Sequence, residues 1–170
     1  MYVSFNEMPD TARLWIYQAD WEFTDIEKAA LETRLLHLCQ SWAAHGTPLK
    51  SSFQLAYNHF ILLAVDERDA GASGCSIDGT VRLLKDIQQQ LGLDFFNRQL
   101  IAFLDQNSVI LYPTHQLKTL FAAATLTGDS VTFNNAITTK GEWVKQWKEA
   151  VKDSWLARYL PKAAGVGSQP

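Results

Sequence analysis

The chain has only two cysteines in 170 residues, Cys39 and Cys75, and no Cys-x-x-Cys or Cys/His spacing of the kind a structural zinc site uses. A disulfide framework and a zinc fold are therefore excluded, and both thiols are expected to be reduced. There is no large excess of charge of either sign: 15 basic residues stand against 18 acidic ones, a formal net charge of −3. That balance lacks the broad positive surface on which binding to a phosphate backbone depends, so nucleic acid is not an expected partner. No apolar run approaches the roughly 18 to 20 residues of a spanning helix. Glu7 and Asp10 interrupt the first ten residues, where a secretory leader would need an apolar core. The expectation is a cytoplasmic chain with no membrane partner.

A phosphate-binding loop is also missing. Gly46-Thr47-Pro48-Leu49-Lys50 is too short for the GxxxxGK[ST] pattern and lacks its second glycine. Val65-Asp66-Glu67 could imitate the apolar strand that ends in two acids, but it has no phosphate loop to work with. The residues thus argue against ATP hydrolysis, and no cofactor is expected.

What the sequence does have is apolar content, 47%, enough for one substantial core. Arg13-Leu14-Trp15-Ile16-Tyr17-Gln18 reads as a strand. Thr24 and Glu27 stand in capping-box register before a helix whose stripe is Ile26, Leu31, Leu35, Leu38, Cys39 and Trp42. Phe53 to Tyr57 alternates as a half-buried strand, and a turn near Asn58-His59 returns the chain through Phe60 to Val65. That second run is continuously apolar, as suits a strand covered on both faces. Val81, Leu84, Ile87 and Leu91 mark a second helix closed by Gly92. Leu100–Leu104 and Val109–Tyr112 flank a turn at Asp105-Gln106-Asn107.

This element order predicts an α+β fold, specifically a ferredoxin-like split βαβ sheet core. The core should occupy about residues 13–112. An extension over about 113–160 would add a helix from His115 to Ala124, a strand at Val131–Phe133 and a helix from Gly141 through Val151, started by the capping pair Thr139 and Glu142. Residues 1–160 would form one domain and 161–170 a mobile tail. The segment from Lys140 to Lys162 carries +3 against −6 for the remainder, which reads as a solvated helix face.

Three places could carry chemistry. In Gly71-Ala72-Ser73-Gly74-Cys75-Ser76-Ile77-Asp78 a strand passes into a helix, where free amides and the helix dipole can bind an anion or lower a thiol's pKa. Cys75, with Asp78, is the catalytic candidate there, and Ser73, Gly74 and Ser76 are ligand-binding candidates. The same residues equally suit a loop capped by Ser76 or Asp78. Any base must come from elsewhere: His45, His59 and His115 are the candidates, His37 lying off the apolar stripe of its helix. The other two places are Phe96-Asn97-Arg98 and Phe133-Asn134-Asn135, the latter leading to Lys140. Arg98, Asn134, Asn135 and Lys140 are the types that hold carboxylate or phosphate, although asparagines at such positions also organise turns.

Leu14-Trp15-Ile16-Tyr17-Gln18, Gly74-Cys75-Ser76-Ile77-Asp78, Phe133-Asn134-Asn135 and Asp153-Ser154-Trp155 resemble a family of small uncharacterised bacterial proteins often labelled "ABC transporter ATPase". The likeness runs from about Arg13 to Leu160. It implies a shared fold but no activity or catalytic residue, and the label's phosphate loop is not in this sequence. Two functional expectations remain. One is a non-catalytic domain binding a small anionic ligand or a protein partner through the 71–78 loop or a sheet face, with the six tryptophans leaving room for an interface and a homodimer. The other is a thiol-dependent enzyme with Cys75 as nucleophile.

Overall fold

The structure, a computed structural model, describes residues 1–44, 46–68 and 74–162, with side chains of the last segment from 78 onward. The fold is α+β. In chain order its elements are β1 (Arg13–Gln18), α1 (Asp25–Ser41), β2 (Ala43–Ala44), β3 (Thr47–Pro48), β4 (Lys50–Ala56), β5 (Phe60–Asp66) and α2 (Gly74–Leu91). They are followed by β6 (Leu100–Asp105), β7 (Ser108–Pro113), α3 (Leu117–Ala122), β8 (Val131–Phe133), α4 (Lys140–Gln146) and β9 (Lys148–Ala150). Short 3-10 turns lie at Phe5–Glu7, Thr114–Gln116, Val151–Asp153 and Trp155–Tyr159. No helix of the described residues is long and apolar enough to cross a membrane.

β5 is the centre of the molecule. It pairs antiparallel with β1 on one side and β4 on the other, and all seven of its residues are buried. Ile61, Leu63 and Val65 face the layer of α1 and α2. Phe60, Leu62 and Ala64 face Ala102, Phe133, Ile137 and Trp147. Alternate side chains of a strand point to opposite faces, so a continuous apolar run requires a layer on each side. At the β4–β5 hairpin Tyr57 and Asn58 both take positive φ, 50° and 53°. The carbonyls of Asn58 and His59 accept the amides of Phe23 and Ala19, which ties the hairpin to the end of β1.

α1 begins as its capping pair predicts: the Thr24 side chain accepts the Glu27 amide, and the Glu27 carboxylate accepts the Thr24 amide at 2.8 Å. Its buried residues are Leu31, Leu35 and Cys39. Ile26 does not belong to that stripe, being 82% exposed. Five residues separate it from Leu31, which on a helix is roughly 140° of rotation and not a return to the same face.

β6 does not join the sheet of β1, β5 and β4. It lies in a second, four-stranded antiparallel sheet of order β7-β6-β8-β9. A strand has two hydrogen-bonding edges, and those of β6 are taken by β7 and β8. The free edge of β1 meets the approach to α4 instead, where the Leu14 amide donates to the Thr138 carbonyl at 2.8 Å. α4 is shorter than its apolar spacing predicts. The Trp147 carbonyl accepts the Asn134 amide at 2.6 Å, and from Lys148 the chain runs extended as β9 against β8. Trp147 and Val151 are nevertheless both buried.

Candidate ligand-binding site

The candidate residues fall into separate places. α2 starts at Gly74, so Cys75 and Ser76 lie in its first turn; Ser73 and the side chains of Gly74, Cys75 and Ser76 are outside the described residues, as is His45. Asp78 is exposed. Seventeen residues of helix separate Cys75 from Gly92, roughly 25 Å at the α-helical rise. At the far end, Gly92 packs against Trp21, and the Asp94 amide donates to the Asp20 carboxylate. The Cys75 end and the loop that carries Arg98 are thus at opposite ends of α2.

Lys140 is placed elsewhere again. It is buried, and its ammonium donates to the carbonyls of Asn6, at 3.1 Å, and of Met8. The Phe5 ring lies 5.9 Å from the charge. Its donors serve the amino-terminal 3-10 turn, not a ligand. His59 is also buried, with Nδ1 3.0 Å from the Tyr57 carbonyl.

Arg98, Asn134 and Asn135 do come together, along one cavity of about 500 Å³ between β1, β6, β8 and the 95–98 loop. The two Phe-Asn segments both line it and share one local geometry. The Asn97 side-chain oxygen accepts the Gln99 amide at 3.0 Å. The Asn134 side-chain oxygen accepts the Ala136 amide at 3.1 Å. Each is a turn in which the side chain binds the backbone two residues on. A backbone N–H can only be received by the carbonyl oxygen of the side-chain amide, so in both residues the NH2 is the end left over. Arg98 is exposed and contributes only donors.

The apolar lining is aromatic. Tyr17 stands edge-on to Phe96, with ring centroids 6.2 Å apart and planes at 75°. Burial pushes the Tyr17 phenol above its ordinary pKa, which keeps it neutral. Phe133 and the half-exposed Trp155 complete the wall. The Arg158 guanidinium lies 5.2 Å from the Trp155 ring, and its Nε donates to the Trp155 carbonyl.

Asn135 has a different role from Asn134. Its side-chain oxygen accepts the Trp147 indole N–H at 3.1 Å, and its NH2 donates to the Gln18 oxygen at 3.2 Å. Gln18 in turn donates to the Leu100 carbonyl at 3.0 Å. This relay joins the end of α4 to β1 and β6, two of the elements that line the cavity. Asn135 therefore holds the site together, with both ends of its amide already engaged.

Tyr17, Gln18, Phe96, Asn97 and Trp155 complete a lining that the sequence reading did not assemble. Its available signal was the repeated Phe-Asn pair, which marks two like turns but not that they face one space. Among the described residues the lining contains no Asp, Glu, His, Cys or Lys. No group of three or more metal-ligating side chains occurs among them either. The arrangement can stack a flat ligand and donate hydrogen bonds to it, but it offers no group poised for proton transfer near neutral pH. No family model, curated protein or solved structure matches the chain.

Proposed function

We propose that this chain is a non-catalytic binding protein for a small planar ligand that carries an anionic group. The observation that supports the reading is the polarity of the lining: the Arg98 guanidinium and the NH2 groups of Asn97 and Asn134 are all donors, and no carboxylate among the described residues lines the cavity beside them. A carboxylate or phosphate supplies acceptors only, and a charge-assisted bond to guanidinium is about twice as strong as a neutral one. Tyr17, Phe96 and Trp155 would take the flat body of the ligand. Titration of Trp155 fluorescence with aromatic carboxylates tests this, with Arg98→Ala as the control. Loss of the anionic contact should weaken binding about tenfold, or about 1.4 kcal/mol. Equal affinity for a neutral amide analogue would refute the anion reading.

The second reading is a thiol-dependent enzyme at Cys75. The start of α2 at Gly74 supports it, because the first turn of a helix has free amides that can stabilise a thiolate. Alkylation of Cys75 against pH, with buried Cys39 as the internal control, tests that idea; slow labelling of both thiols removes it. We propose further that the first sheet is part of a ferredoxin-like split βαβ unit. The order β1-β5-β4, with α1 and α2 on one face, corresponds to three strands of a ferredoxin-like split βαβ unit, and the likeness to the bacterial family and a cytoplasmic residence go with it.

A further inference from the structure

A second cavity, of about 520 Å³, lies beside the first and is lined by Gln99, Thr114, His115, Lys118 and Tyr159. Among the described residues it contains no carboxylate, and its own cation, Lys118, makes no ion pair with any of them. The boundary between the cavities is well fixed. Gln99 follows Arg98, and its carbonyl accepts both the amide and the hydroxyl of Thr114, each at 2.8 Å. On the other side Trp155 lines the first cavity and Tyr159 the second. Their rings meet edge-to-face with centroids 6.0 Å apart and planes at 75°. Two cationic, acid-free pockets therefore flank one aromatic ridge.

We infer that the ligand is elongated and carries an acidic group at each end of its planar body, one held by Arg98 and the other by Lys118. The two cations lie on different segments, the loop before β6 and α3, which the Thr114–Gln99 bonds hold together. A ligand with one acidic group would use only the first cavity. A ligand with two, as carboxylates or phosphates, would cover the Trp155–Tyr159 pair and reach Lys118 and His115. This inference rests on the binding role proposed for the first cavity and adds to it the number and placement of the charges.

Calorimetry on the full chain at low salt, with benzoate against terephthalate and para-phenylbenzoate against its para′-carboxylated dianion, separates the two claims. At least one dianion should bind about fivefold more tightly than its monoanion, the gain of one partly exposed ion pair. Lys118→Ala should remove that gain and leave the monoanion unaffected, and Lys118→Glu should make the dianion the weaker ligand. If the monoanions bind through Arg98 but neither dianion is tighter, or if Lys118→Ala does not remove the gain, the two-ended ligand is wrong and the first cavity stands. If none of the four acids binds, both claims fall.

Discussion

The indole N–H of Trp147 donates to the side-chain oxygen of Asn135, and the same amide donates onward to Gln18. Trp147 is buried, so its N–H loses its side-chain partner when Asn135 is removed. Asn135→Ala is expected to cost about 1–3 kcal/mol, the usual penalty for stranding a buried donor, in urea unfolding monitored by fluorescence. The exposed Arg98 should behave in the opposite way: Arg98→Ala should stay within about 0.5 kcal/mol of the parent while binding weakens about tenfold. Equal stability of the two variants would contradict the division into positioning and contact residues.

Lys140 gives a second test. Its buried ammonium serves two carbonyls of the amino-terminal turn, at Asn6 and Met8. Lys140→Met keeps the apolar stem and removes the donors, which should destabilise the fold by about 1–3 kcal/mol. Hydrogen exchange should quicken at Glu7 and Met8, the amides that close the turn. Unchanged exchange there would mean that the packing of Phe5 and Met8 alone holds the turn.

Cys39 makes stability depend on alkaline pH. Burial among Trp42, Ala44, Leu49, Leu63 and Val65 pushes its thiol up to about 11. In the unfolded chain the thiol ionises near its ordinary value of 9.0. The unfolded state therefore loses this proton first as the pH rises, so the contribution is full below about pH 9 and falls away between there and about 11. The loss is on the order of 3 kcal/mol. Subtracting the alkaline stability curve of Cys39→Ala from that of the parent isolates it from tyrosine and lysine titration. A flat difference would place Cys39 in contact with water.

Much of the scaffold is legible in the sequence because its signals are local. β1 is a single branched and aromatic run, both helix starts at Thr24 and Thr139 are four-residue capping patterns, and the apolar run of β5 states that both its faces are covered. The partners of β6 are not legible, because which edge a strand fills depends on what else reaches it, here β8 from some thirty residues further on. Lys140 reads as a surface cation because its acceptors lie 134 and 132 positions away. The Phe-Asn pairs are visible as motifs, and their turn geometry is a local property. That Arg98 and Asn134 share one cavity is a product of the second sheet, which no spacing in the chain encodes.

The most direct test of the binding role is a crystallographic soak or an NMR titration of the full chain with para-phenylbenzoate, run in parallel on Arg98→Ala. The account predicts shifts or density confined to Tyr17, Phe96, Arg98, Asn134 and Trp155 in the parent, and about tenfold weaker binding in the variant. Binding elsewhere, or binding unaffected by the loss of Arg98, would contradict it.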